Sequence, residues 1–434
     1  MKIGIIGGGI AGLSAAYELG KKGHKVAVFE REAELGGQAA TFDVAGEPLE
    51  RFYHHIFSSD IDIIQLIDEL GLGEKLVWLD SKVGFLHQGR IYDFVTPWDL
   101  LRFSPVSLVD RVRLGLVAFY LRRNKNWPRL EGRTAREWMT KYAGTRNYDI
   151  IWGPLLKNKF GASADEVGMV WLWGKIHLRF ASRAKGRERL GYLRGSFGLL
   201  IDALGKRILA NGGEINISAP VNKIVVEGEE GEKAVGLQVG EQVHPFDAVI
   251  ATVSSPTFLS MVPQLPGDYA RKLEGVRYQA AVCLVLTLNR PLSHSYWLNI
   301  SDPAIPFVAI IEHTNFIDPT NYGGKRIVYI SNYISKDNPL YQLDADELLT
   351  EYLPHLRKVN PQFDPSWIEE RYLFREEAGQ PVITTGYSSQ IPDHRTPIPH
   401  LFLANTTQIY PEDRGMNYSV SLGLKISEVV TGEG

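Results

Sequence analysis

The sequence predicts an α/β fold into which a second, α+β domain is inserted. Three observations predict it. The chain opens with a strand–turn–helix–strand unit, the same kind of alternation returns over residues 196–252, and an apolar strand and a helix follow residue 400. Between these pieces the pattern changes twice, first to helical spacing and then to strands separated by Pro- and Asn-rich turns.

The opening unit starts with the apolar run Lys2–Ile6 and passes directly into Gly7-x-Gly9-x-x-Gly12. A helix-like stretch follows, then a second strand, Lys25–Phe29, which ends at Glu30. A dinucleotide needs this order. Gly7 permits the tight turn, Gly9 lets the backbone approach a pyrophosphate, and Gly12 lets helix and strand pack closely. Ala11 lies in the first turn of that helix, whose positive end faces the anion. Glu30 stands where an acidic side chain accepts ribose hydroxyls, with Arg31 next to it. A glycine turn in an unrelated βαβ unit is the plain alternative, and the strand, the helix and the distant acid argue against it. The expected class is therefore Rossmann-type. A second glycine pair, Gly36-Gly37, precedes Gln38. A nicotinamide-binding unit does not need it, whereas an FAD domain often does, because the chain crosses the pyrophosphate again on its way to the isoalloxazine ring.

Length and composition set bounds. At 434 residues the chain suits two intertwined domains rather than one small core. A formal net charge of −3 gives no support to a polyanion-binding surface. The single cysteine, Cys283, excludes an internal disulfide and reads as a small buried hydrophobe, in keeping with a reducing cytosol. No apolar stretch reaches the roughly 20 residues of a membrane span. The first residues imitate a signal peptide, but a fold that begins at residue 2 leaves no room for one. There is no Cys pair, HExxH, EF-hand loop, Gly-x-Ser-x-Gly or P-loop, so no metal site is expected.

Helical spacing begins at Ile61 and stops at Gly71. A strand pair is expected at 83–87 and 90–94, then helices at 108–123, 135–142 and 148–157, with 167–184 unassigned. After the helix 199–210, strands are expected at 215–217, 221–227, 234–239, 242–246 and 247–252. The antiparallel part reads as strands at 280–288, 296–300, 307–313 and 326–333, followed by a helix at 345–359. A strand at 401–405 and a helix at 417–430 close the chain.

These motifs together resemble the flavin amine oxidase superfamily, which includes protoporphyrinogen oxidase, carotenoid desaturases and UDP-galactopyranose mutase. The resemblance spans the whole layout. It implies a discontinuous FAD-binding domain (1–59, 190–258 and 390–434) and a substrate domain with a helical part (60–189) and an antiparallel-sheet part (259–389). In many members Arg follows the second glycine pair and reaches the FAD phosphates; here Gln38 leaves a neutral donor. The run His55-Ile56-Phe57 resembles the segment that lies against the flavin in UDP-galactopyranose mutases, which makes His55 the candidate catalytic residue. As a neutral imidazole it would donate to the ring, and as a cation it would stabilise reduced flavin; a hydrogen-bonded turn residue is the alternative. Val221 matches the position whose backbone pairs with the adenine edge. Asn405 and Thr406 replace the Gly-Asp common in the family at a flavin-bonding position. Gly415, Met416 and Asn417 match the loop whose amides open the last helix under the flavin pyrimidine, and Asn417 also suits a plain helix cap.

Three further features have two readings. Trp152, Trp171 and Trp173 are either channel lining or core. Arg179, Arg183, Arg187, Arg189 and Arg194 are either an anion clamp or a solvated face. The basic amphipathic stretch 106–125 either touches a membrane surface or, as preferred here, packs on neighbouring helices. The resemblance implies a cytoplasmic FAD-dependent oxidoreductase that removes a hydride from an organic, apolar-leaning small molecule to flavin N5, with no nucleic-acid partner. A non-redox sugar-nucleotide mutase and a non-catalytic FAD-binding protein are the rivals.

Overall fold

The computed structural model describes every residue except 182, 185, 186, 229–232, 263, 264 and 434; the side chains of 180, 181, 183, 184 and 187 are likewise outside the description. Two members of the arginine run, Arg183 and Arg187, therefore lie there. In chain order the strands of the two main sheets are β1 (Lys2–Ile6), β2 (Lys25–Phe29), β3 (Val83–His87), β4 (Arg90–Asp93), β5 (Glu214–Asn216), β6 (Ala248–Ala251), β7 (Tyr278–Leu288), β8 (Trp297–Ile300), β9 (Ala309–Glu312), β10 (Arg326–Ile334), β11 (Ile368–Pro381) and β12 (Leu401–Leu403). The helices that bear on the site are α1 (Ile10–Lys21), α2 (Pro97–Arg102), α3 (Leu108–Arg123), α4 (Gly153–Phe160), α5 (Met169–Ala181), α6 (Gly198–Ala210) and α7 (Met416–Thr431).

The first sheet is parallel, in the order β5-β2-β1-β6-β12. All of its strands but the edge strand β5 are short, nearly unbroken apolar runs, as expected of a sheet covered on both faces. Three distant stretches of chain supply them. Helices α1 and α7 pack on each other at close range, because a Cβ on Gly423 would meet the Cβ of Ser14 at 2.5 Å.

The second sheet runs β11-β7-β10-β9-β8-β3-β4, antiparallel except for the β8–β3 pair. The strand pair expected at 83–94 thus joins this sheet through β8, although it lies in the mainly helical stretch of sequence. β11 has no separate place in the sequence reading; its alternating charged residues leave one face half-exposed, so it carries no apolar signature over much of its length. The helix Ala345–Val359 forms as expected, capped by Asp344 through the amides of Asp346 and Glu347.

Two local expectations change. The helix expected at 148–157 is broken into a π-helical turn, Tyr148–Trp152, and α4, which begins at Gly153 with Pro154 in its first turn. Proline has no N–H to continue the ladder, so the helix re-registers there. The stretch 106–125 was expected to pack its apolar residues, yet α3 buries only Leu114 and Leu121 and leaves Val109 77% and Leu116 66% exposed, with Leu108, Val112, Phe119 and Tyr120 also exposed. Trp98 on α2 adds a further 70% exposed ring. Among the described residues no helix is long and apolar enough to cross a membrane.

Candidate cofactor and substrate site

The opening glycines form a backbone cradle. Gly7 sits at φ +105°, a conformation that favours glycine, and its N–H donates to Phe29 O at 2.9 Å. A Cβ on Gly12 would lie 2.0 Å from Gly7 O, so only glycine permits this crossing of helix and strand. The second glycine pair closes on the first: Gly36 N–H donates to Gly8 O at 2.8 Å, and Gly37 (φ +56°) would bring a Cβ within 3.3 Å of the Gly9 Cα. Gly9 caps α1 without a side-chain bond, so the first-turn amides, including that of Ala11, have no side-chain acceptor at the cap. The last helix repeats the arrangement. Gly415 caps α7 with no side-chain bond, and Met416 is buried behind it. By contrast, Ser107 and Thr134 cap their helices with side-chain oxygens. The structure therefore corrects the cap: Asn417 lies inside the helix, and its Oδ1 accepts from the Ile63 amide at 3.0 Å.

Glu30 is buried at the end of β2, where its two oxygens accept from the Gly8 amide at 2.7 Å and the Glu32 amide at 3.0 Å. Arg31 is exposed and paired with Glu32 at 3.1 Å. Val221 is buried at the head of a strand, and the chain just before it bonds to Glu30, with Ala219 N–H donating to Glu30 O at 2.8 Å. Asn405 is buried and committed to the protein: Nδ2 donates to Val253 O at 3.1 Å, and Oδ1 accepts from the Thr407 amide at 3.1 Å. Its side chain organises the turn after β12.

His55 is half-buried, its Nδ1 3.1 Å from the Tyr296 hydroxyl and its ring edge-on to Phe57 and Trp297. Burial, then the nearby charges of Arg179, His54 and Lys175, pull its pKa down to about 3. Burial and these charges favour the neutral imidazole. A small cavity beside it is lined by Arg179, Glu188 and Trp297. The arginine run does not act as one clamp: Arg179 lies 3.9 Å from Glu188, while Arg189 faces Asp80 and the Trp78 carbonyl. Trp171 and Trp173 are buried in the helical core, and Trp173 Nε1 donates to Asn124 O at 2.8 Å.

A polar cluster that the sequence reading did not find joins these parts. Arg414, one residue before the α7 cap, donates from Nη1 to Gln38 Oε1 at 2.9 Å, from Nε to Gln380 Oε1 at 3.1 Å and from Nη2 to the Tyr333 hydroxyl at 2.9 Å. Its neighbour Asp413 accepts from Lys175 at 2.5 Å, Lys159 at 3.2 Å and Gln380 Nε2 at 3.0 Å. Burial alone would raise the Asp413 carboxyl, but the two lysines hold it well below the usual carboxylate range. Burial also opposes ionisation of Tyr333; the charges of Arg414 and Lys159 outweigh it and bring the phenol below its usual value. Asp413 and Arg414 sit in a stretch that the sequence marks, but Lys159, Lys175, Tyr333 and Gln380 come from α4, α5, β10 and β11 and carry no motif.

A larger cleft of about 470 Å³ lies elsewhere, between Tyr192, Arg194, Phe316, Asp318 and Tyr322. None of the cradle residues lines it.

The profile of the family described as flavin containing amine oxidoreductase matches residues 10–412. The chain belongs to this family. Like its members it is an FAD-dependent oxidoreductase of the amine oxidase type. The 15-cis-phytoene desaturase of Synechococcus elongatus is 22% identical over 436 residues, covering 93% of this chain and 90% of the relative. Among solved structures, an oxidoreductase from Methanosarcina mazei superposes with a TM-score of 0.76 at 20% identity, covering 99% of this chain and 100% of that one. Reduced UDP-galactopyranose mutase superposes with a TM-score of 0.77 at 18% identity, over 100% and 96% of the two chains. The residues present fit the flavin dinucleotide: two glycine pairs without side chains face each other, and two helices begin at glycine caps.

Proposed function

We propose that this enzyme grips FAD with a Rossmann-type domain assembled from residues 1–59, 190–258 and 390–434, and removes a hydride from an organic substrate held by residues 60–189 and 259–389. The observation that carries the reading is the Arg414 guanidinium, which ties Gln38, just after the second glycine pair, to Tyr333 and Gln380 of the second sheet. Cofactor segments and substrate segments thus meet at one side chain. When bound, FAD supplies the hydride acceptor at N5. The backbone at Gly9 and Gly37 lets the pyrophosphate approach, Glu30 faces the ribose, and Val221 borders the adenine. The amides at Gly415 and Met416 favour negative charge on the flavin pyrimidine. His55, held neutral by its buried surroundings, orients by hydrogen bonding.

The test is anaerobic bleaching of the FAD-loaded protein across porphyrinogens, polyprenoids, amines and sugar nucleotides. Loss of the visible flavin band with one substrate class supports hydride removal. A flavin that stays oxidised with all four classes, or turnover of a sugar nucleotide only after chemical reduction, overturns it.

A second reading concerns partners. The exposed apolar residues of α2 and α3 are accompanied by Arg102, Arg122, Arg123 and Lys125, which suits an anionic membrane surface. Co-sedimentation with phosphatidylserine vesicles tests it; equal recovery with neutral vesicles in high salt and with no vesicles overturns it.

A further inference from the structure

We propose that Lys159, Lys175 and Arg414 form a docking subsite for an anionic group of the substrate, a carboxylate or a phosphate. The proposal rests on the flavin reading only for which side of the cluster the substrate occupies.

The argument is one of charge matching. Two cations, Lys159 and Lys175, contact one carboxylate, Asp413, whose side chain is 4% exposed, and a third, Arg414, follows it in the chain. Asp413 is saturated by Lys159, Lys175 and Gln380. The three hydrogen-bond partners of Arg414, Gln38, Gln380 and Tyr333, are all formally neutral groups. Lys159 otherwise lies over the rings of Tyr333 at 5.0 Å and Trp171 at 5.3 Å. Asp60, which Lys175 also influences, accepts from the Phe57 amide at 2.8 Å, and burial pushes its pKa up to about 6; burial likewise raises the carboxyl of Glu412, the residue before Asp413. Among the described residues, positive charge therefore exceeds negative charge in a buried place. Buried unmatched charge is costly, and an incoming anion offsets that cost.

Access completes the argument. The side chains of Lys159 and Lys175 retain 19% and 34% exposure, so neither is sealed from solvent as Asp413 is. They stand on α4 and α5, outside the segments assigned to the cofactor, and their aromatic neighbours offer flat walls to the body of a ligand. The substrate is thus an organic acid or phosphate ester rather than a bare hydrocarbon.

Inorganic phosphate and benzoate, titrated into the FAD-loaded protein and the apoprotein by calorimetry, test this directly. Both probes are expected to bind. Lys159→Met and Lys175→Met should each weaken binding about tenfold, and Lys159→Arg should restore it. Asp413→Asn, which removes the internal competitor, should tighten binding about tenfold. Should the Lys→Met variants fail to fold, the Asp413→Asn titration decides alone. Equal affinity in all variants overturns the proposal. So does binding seen only in the apoprotein, with the Lys variants weakening FAD instead, since the cations would then serve the cofactor. A protein that refuses FAD but binds benzoate through these lysines sinks the flavin reading and upholds the subsite.

Discussion

Glu50 and Asp413 are both buried carboxylates, and the protein drives them in opposite directions. Glu50 is 1% exposed and accepts from the Phe197 amide at 2.6 Å and the Tyr192 hydroxyl at 2.8 Å. Its bonds are to neutral donors, and burial pushes its pKa from 4.5 up to about 7. Asp413 is equally enclosed, but two lysines hold it ionised. Burial alone therefore sets no charge state; the partners do. The Glu50 region is a neutral latch between the first sheet's helices and the second sheet, whose Tyr329 hydroxyl donates to Glu50 O at 2.7 Å. The Asp413 region is a charged one, and charge is what a reacting centre uses.

The sharpest way to break this contrast is Asp413→Asn. It leaves two half-buried lysines without their shared carboxylate and should cost about 2 kcal/mol in urea unfolding at neutral pH, part of it recovered by added phosphate. An unchanged midpoint would remove the distinction between the two regions.

Glu50→Gln comes next, read through pH. The folded-state pKa of Glu50 lies above its unfolded value, so the unfolded chain gives up the proton first. Wild-type stability then falls as pH rises from about 4.5 through about 7, by about 3 kcal/mol in all. The glutamine variant keeps both acceptor contacts through one oxygen at best and should lose that slope. Asp413 has the opposite sign: its stabilisation is full above the ordinary aspartate pKa and is lost as pH falls through the depressed one. Unfolding midpoints across acid and alkaline buffers separate the two limbs.

A smaller effect is expected at His55. Because its imidazole is neutral down to about pH 3, His55→Gln should leave the shape of the bleaching-rate profile unchanged between about pH 5 and 8. An ionisation that disappears with the histidine would contradict this.

The smallest stability change belongs to the surface. Leu116→Asp replaces a side chain that is 66% exposed and should shift stability by less than about 0.5 kcal/mol. The same variant should release the protein from phosphatidylserine vesicles if α3 is the docking face.

What was legible in the sequence is what backbone geometry dictates locally. The glycines at 7, 9 and 12, the acid at 30 and the pair at 36–37 are short-range signals, and the strands around them fall where the apolar runs put them. The side chains of Asn405 and Asn417 bond to the protein's own turns and helices, which no local signal announces. The cationic cluster was not legible, since Lys159, Lys175, Tyr333 and Gln380 come from four separate elements, meet the loop before α7 only in the fold, and each alone is an ordinary lysine, tyrosine or glutamine. Helix α3 does pack on α2 and α5, and the exposure of its other face was not legible for a related reason. Helical spacing reveals an apolar stripe but not whether anything covers it.

The strand order of the parallel sheet has a consequence for synthesis on the ribosome. β1 and β2 emerge first, yet β6 on the other flank of β1 emerges more than 200 residues later, and β12 later still. The nascent chain must carry an unpaired hydrophobic edge through most of translation, with Arg414 arriving almost last to fasten Gln38. A truncated product ending before residue 400 lacks both the closing strand and the helix cap at Gly415.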